Sequence, residues 1–133
     1  MPAHAILQRV RLTLARSKEF PEGSSQYGYE LIAPLDYDGY LDVETWKQRR
    51  PDCTVRHFAE GHDDKFGMLV HKAGGRDHAR WVFDYDSKAV DDDEAGFMFG
   101  SHRFITGEYV SVRGNDGKTL TFAVSAVEPL VPA

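Results

Sequence analysis

Between Cys53 and Val127 apolar and polar residues alternate with a period of two, interrupted at short intervals by Gly, Asp and Asn. Side chains of a strand point alternately to its two faces, so this pattern suits half-buried strands and does not fit a helical period. The alternation is clearest near the end, where E-Y-V-S-V-R-G and K-T-L-T-F-A-V-S-A-V flank N-D-G at 115–117. A three-residue loop with Gly in its last, left-handed position is a common hairpin connection. That loop sets Gly114 opposite Lys118, Val112 opposite Leu120 and Val110 opposite Phe122, with all four apolar side chains on one face.

The same reading gives the earlier elements. Val10, Leu12 and Leu14 alternate with Arg9, Arg11 and Thr13, which predicts a first strand over about 6–16. S-K-E-F-P-E-G-S-S-Q-Y-G reads as a long loop, G-Y-E-L-I-A-P at 28–34 as a strand, and D-Y-D-G at 36–39 as a turn. Asp42 is placed to cap a short helix over about 43–50. Glu44 would lie near its positive end, Lys47, Arg49 and Arg50 near its negative end, and Pro51 beyond it. A helix of about two turns needs packing through Val43 and Trp46 to persist. C-T-V-R-H-F-A and M-L-V-H-K-A read as strands separated by a loop, E-G-H-D-D-K-F-G. A-R-W-V-F-D-Y returns antiparallel after A-G-G-R-D-H, with Trp81, Phe83 and Tyr85 on its core face. A charged loop, D-S-K-A-V-D-D-D-E-A-G, comes next.

The expected fold is therefore mainly β: a small antiparallel barrel or sandwich of six to seven short strands, with one short helix near 43–50. No repeat or linker divides the chain, so residues 1–133 are expected to form a single β-rich domain. Eight Phe, six Tyr and two Trp supply the large flat side chains that pack on a sheet.

Charge and cysteine content narrow the setting. Residues 1–18 hold Arg9, Arg11, Arg16 and Lys18 and no acid, while residues 19–94 hold eighteen acids against nine bases. A lone basic strand in a molecule of net charge −5 does not make the clustered basic surface that nucleic acid requires. No apolar run reaches the ~20 residues of a helical membrane span, and no membrane partner is expected. A single cysteine, Cys53, excludes an intrachain disulfide and suits the cytoplasm, the expected location. The first residues lack the apolar stretch of a secretory signal and read as part of the fold.

The residues able to carry chemistry are histidines and carboxylates. His57, His62, His71, His78 and His102 accompany Asp63, Asp64 and the run Asp91–Glu94, but no ligand-pair spacing of a zinc or iron site is present. D-D-D-E-A-G-F fits the first, third and sixth places of a calcium loop, yet Ala95 and His102 occupy the fifth and twelfth. No metal and no cofactor are expected. Asp84 and Asp86 would project from one face of a strand, about 6–7 Å apart, close enough to divide acid and base roles. His71 would join that face if Lys72 pairs with Ala79. Cys53 and His57, four residues apart on one strand and so about 13 Å apart, cannot form a dyad within it. Cys53 reads as a small buried hydrophobe.

Two resemblances add to this reading. F-I-T-G-E-Y-V-S-V at 104–112 resembles the F-x-P-G-Q-Y-V strand of ferredoxin-reductase-type flavin barrels. Thr106 and Glu108 replace its Pro and Gln, and the R-x-Y-S phosphate grip of that family is missing, so the resemblance implies shared β architecture without flavin. The succession L-V-H-K, W-V-F-D-Y-D, D-D-D-E-A-G, F-G-S-H-R-F and G-E-Y-V-S-V resembles small β-rich bacterial proteins of alphaproteobacterial type with no assigned activity. That resemblance spans roughly residues 9–128 and marks Asp84, Asp86, Asp93, Glu94 and His102 as positions of interest. The expected function is a small noncatalytic binding or interaction module engaging a protein or a small molecule. The rival is a small hydrolytic or metal-assisted enzyme, with catalytic Asp84, Asp86, His71 and His102. Asp93 and Glu94 are the candidate binding residues.

Overall fold

The computed structural model describes residues 5–72, 80–85, 94–97, 99, 102–114 and 118–130. Eight strands are present among them: β1 (Ile6–Leu14), β2 (Ser24–Leu35), β3 (Thr54–Ala59), β4 (His62–Lys72), β5 (Arg80–Tyr85), β6 (Glu94–Phe97), β7 (Tyr109–Arg113) and β8 (Thr119–Pro129). Each pairs antiparallel with the next, and β8 returns to pair with β1, closing the sheet into a barrel. Closure leaves no long unpaired edge among these strands. The expected mainly-β antiparallel fold is what the chain adopts, as a barrel and with eight strands.

Alternation dictates the inside. Val10, Leu12 and Leu14 of β1, Tyr29, Leu31 and Ala33 of β2, and Trp81, Phe83 and Tyr85 of β5 are all buried in one core. Phe83 touches Tyr29 and Phe99 at centroid distances of 4.9 and 5.7 Å, and Phe99 meets Phe104 at 5.1 Å. Each such ring removes on the order of 2–3 kcal/mol worth of apolar surface from water. The β7–β8 register is the expected one, with Val110 opposite Phe122 and Val112 opposite Leu120; the N-D-G loop at 115–117 lies outside the described residues.

The helix α1 (Val43–Arg49) begins as expected, with Asp42 accepting from the Thr45 backbone N–H at 3.0 Å. Its Trp46 is buried against one end of the barrel and donates its indole N–H to the Leu69 carbonyl at 2.7 Å. Pro51 does not stop the chain's winding: a 3-10 turn, Arg50–Asp52, follows α1 directly and holds Pro51 in its first turn. Proline lacks an N–H, but the first residues of a helical turn need none. At 36–39 the expected turn forms, with Asp36 Oδ1 accepting from Asp38 and Tyr40 and Gly39 at a φ of 90°.

Three segments depart from the sequence reading. β2 starts at Ser24, so the end of the expected loop at 17–28 is strand. The expected loop at 60–67 is mostly strand: Glu60 and Gly61 alone turn the chain, and β4 begins at His62. Charge at Asp63, Asp64 and Lys65 hides this strand because both of its faces meet solvent near the barrel's end; Asp64, for instance, pairs with Arg56 of the neighbouring β3 at 2.8 Å. The third is β6, which closes the sheet between β5 and β7 although Glu94, Ala95 and Gly96 end the expected charged loop.

Candidate functional site

The β4–β5 register separates two of the residues singled out from the sequence. Lys72 pairs with Arg80, not Ala79, so His71 stands opposite Trp81 and Asp84 opposite Met68. A slip of one residue moves a side chain to the other face of a sheet. His71 accordingly shares the inner face with Trp81, its ring 4.8 Å from that indole and 5.9 Å from Trp46. Burial among these rings holds its pKa below the ordinary histidine value, and the Lys47 charge pushes it the same way. Asp84 is exposed on the outer face. His102 lies half-buried between β6 and β7, beside Arg103, which donates to the Asp38 carbonyl at 2.8 Å. Glu94 opens β6 opposite Phe83. Asp86 and Asp93, like His78, lie outside the described residues. Among the described residues no three His, Cys, Asp or Glu side chains converge as a metal ion would require. Cys53 is fully buried, and desolvation, reinforced by Asp52, pushes its thiol up to about 11.

What the fold does bring together lies at the barrel's other end, opposite α1. Register places Tyr29 beside His57 and His57 beside Lys65, a row across the inner faces of β2, β3 and β4. The His57 ring stacks on Tyr29 at 4.5 Å with 22° between planes, and meets Tyr27 edge-on at 5.2 Å. Its Nδ1 lies 2.8 Å from the Gly28 carbonyl. A carbonyl can only accept, so Nδ1 carries the hydrogen, and in the neutral ring Nε2 keeps its lone pair. Phe122 adds a third aromatic wall, 5.1 Å from Tyr29 and 6.0 Å from Tyr27. Lys65 extends its ammonium over Tyr85, 5.8 Å from the ring centroid. Tyr27, Tyr29, His57, Lys65 and Phe122, together with Glu19 and Lys118, line a pocket of about 310 Å³. That volume sits at the lower end of the range for small-molecule sites, which favour the mouths of β-barrels.

Most of this set is not legible as a site in the sequence. Tyr27 and Lys65 fall in segments that read as loops, and the spacing of His57 suggests only a metal ligand or a partner for Cys53. A signal is nonetheless there for Tyr27: Tyr27, Tyr29, Leu31 and Ala33 continue one period-two stripe upstream of Gly28.

A second concavity, about 860 Å³, runs along the outer face and includes Arg9, Glu30, Arg56, Phe66, Met68 and Asp84 in its lining. Its central charges answer one another: Glu30 lies 3.9 Å from Arg9 and 3.7 Å from Arg56. Such half-exposed pairs contribute about 0–1 kcal/mol each. Comparison of the chain with protein-family models, curated proteins and solved structures finds no match.

Proposed function

We propose that this protein is a noncatalytic binding module that holds a small, flat organic ligand in the barrel end opposite α1. The observation that carries the proposal is the posture of His57. Its ring is held by two tyrosines and by Gly28 inside an aromatic pocket, leaving Nε2 as a preset polar contact for whatever enters. A few fixed polar groups among aromatic walls are the usual make-up of a small-molecule site. Each aromatic contact with a ligand ring is worth about 0.5–1.5 kcal/mol beyond area burial.

Catalysis is not favoured by the same geometry. The Nδ1–H of His57 goes to a neutral backbone carbonyl, which orients the ring without the carboxylate of a catalytic dyad. The rival enzyme site asks His71 and Asp84 to act together, and they occupy opposite faces of the β4–β5 pair. The Cys53 thiol is buried and held protonated.

Solution NMR with benzamide and indole as flat probes tests the proposal. A fragment of ~10 heavy atoms at ~0.4 kcal/mol per atom binds with a Kd near 1 mM, which sets the titration range. The expected result is saturable shifts at His57, Tyr27 and Phe122. Shifts confined to Arg56 and Phe66 of the outer groove, or no shifts with either probe, would overturn it.

A further inference from the structure

Resting on that reading, we infer that the barrel-end pocket selects flat ligands that offer an N–H or O–H, indole- and phenol-like molecules, through His57 Nε2 as a fixed acceptor. The polar groups of the lining carry this inference. Glu19, Lys65 and Lys118 are exposed, in water that screens their charges. Tyr29, Val112 and Phe122 are buried and Tyr27, His57 and Leu120 half-buried, so the more enclosed wall is mostly ring and aliphatic carbon. Tyr27, Tyr29 and Lys118 are engaged by other groups. Nε2 of His57, by contrast, bonds to no described residue. Among the described residues no fully buried side-chain nitrogen or oxygen lacks a partner, so Nε2 is open to solvent, and the concavity that His57 lines is this pocket.

The ring is held so that what it offers does not change. Its Nδ1 donates to the Gly28 carbonyl at 2.8 Å, and turning the ring over would put a C–H against that oxygen and lose the bond. Stacking on Tyr29 and the edge contact with Tyr27 fix the plane. A neutral imidazole has one donor and one acceptor, so committing Nδ1–H to Gly28 leaves Nε2 as an acceptor only. A ligand N–H or O–H aimed at Nε2 replaces the water it displaces. A ligand without a donor strips Nε2 of that water and returns nothing. Sites built around a hydrogen bond reject analogues that lack the donor for this reason. A net hydrogen bond of ordinary strength corresponds to about fivefold in Kd, and the selectivity should be at least that large.

Two isomers separate the donor from shape: 3-methylindole keeps the ring N–H, and 1-methylindole replaces it with a methyl group. Both are titrated into the isotope-labelled full chain at pH 8 and followed by NMR at the backbone amides and the His57 ring nitrogens. We expect 3-methylindole to bind at least about fivefold tighter than 1-methylindole, and the Nε2 resonance to move with 3-methylindole alone. His57→Phe keeps a flat ring and removes the acceptor; it should make the two isomers equal, chiefly by weakening 3-methylindole. If His57→Phe fails to fold by tryptophan fluorescence, the Nε2 resonance of the parent decides. A free protein with the proton on Nε2 instead of Nδ1 would overturn the inference at its root. Equal binding of the isomers, with shifts at Tyr27 and Phe122, would overturn donor selectivity while leaving the flat-ligand site standing. A preference that survives in His57→Phe would be one of shape, with the same consequence. Failure of both isomers to shift His57, Tyr27 or Phe122 would overturn the site itself.

Discussion

Replacing Gly28 by alanine would put a methyl group 1.8 Å from the Leu12 carbonyl oxygen, 2.9 Å from the Leu12 carbonyl carbon and 3.1 Å from Phe58 Cζ. Real Cβ contacts essentially never fall below 3.0 Å, so the two strands must part by about 1.2 Å. Two of those three atoms are backbone, and β1 is held on its far side by β8, so neither strand can swing away cheaply. Overpacking of a well-packed site costs about 1–3 kcal/mol. An overlap this deep with a backbone oxygen puts the cost near the top of that range, about 3 kcal/mol; alanine recovers about 0.5–1 kcal/mol of glycine's conformational entropy, which leaves a net loss of about 2 kcal/mol. With a urea m-value of about 1–3 kcal/mol/M, the unfolding midpoint should fall by roughly 1 M. Fluorescence of Trp46 and Trp81, both buried, reports the transition. Gly61→Ala is the control: its φ is +80° and nothing lies within 4 Å of an added Cβ, so only backbone strain of about 1 kcal/mol is expected. Because the Gly28 carbonyl fixes His57, the His57 ring resonances should move in Gly28→Ala and stay in place in Gly61→Ala. A Gly28→Ala midpoint equal to that of the parent would refute the close approach of β1 and β2.

Three further outcomes are expected. Trp46→Phe leaves the Leu69 carbonyl without its indole donor and should cost about 1–3 kcal/mol by urea unfolding followed at Trp81; an unchanged midpoint would mean that bond contributes nothing. Cys53, with its thiol pushed up to about 11, should resist a disulfide reagent near pH 8 in the folded protein and react fully in urea; fast reaction when folded would contradict its burial. His71 is depressed below its ordinary 6.5, so on acidification the unfolded chain takes up this proton first, and stability falls as pH drops below that value. His71→Phe should flatten the decline, and a parallel pH profile for the two proteins would contradict it.

Local chemistry makes several elements legible in the sequence. Asp42 announces its helix because a carboxylate in front of a short amphipathic run satisfies an N–H that the helix cannot. The β7–β8 pairing is readable because alternation along both strands fixes which of their residues share a face, Val110 with Phe122 and Val112 with Leu120. Trp81, Phe83 and Tyr85 are buried as their spacing predicts. In each case the deciding partners are near in sequence.

Facing is harder to read where both phases of a strand look plausible. In T-V-R-H-F-A, His57 turns inward with Val55, while Phe58 lies on the other phase, buried under the guanidinium groups of Arg11 and Arg56 at 4.5 and 5.1 Å from its ring. An outward phenylalanine covered by arginines from its own and a remote strand cannot be distinguished in sequence from a core phenylalanine.

A β-rich chain, its capped helix, its final pair of strands and the apolar stripes that fill the core all follow from residues near one another along the chain. Tertiary structure alone decided that β8 closes on β1, that Lys72 meets Arg80 so that His71 and Asp84 part, and that Tyr29, His57 and Lys65 form one inward row. The reason is physical: a turn or a cap depends on bonds within a few residues, whereas register is a choice among pairings one residue apart. Packing of the whole barrel makes that choice, and each step reverses which side chains face the interior.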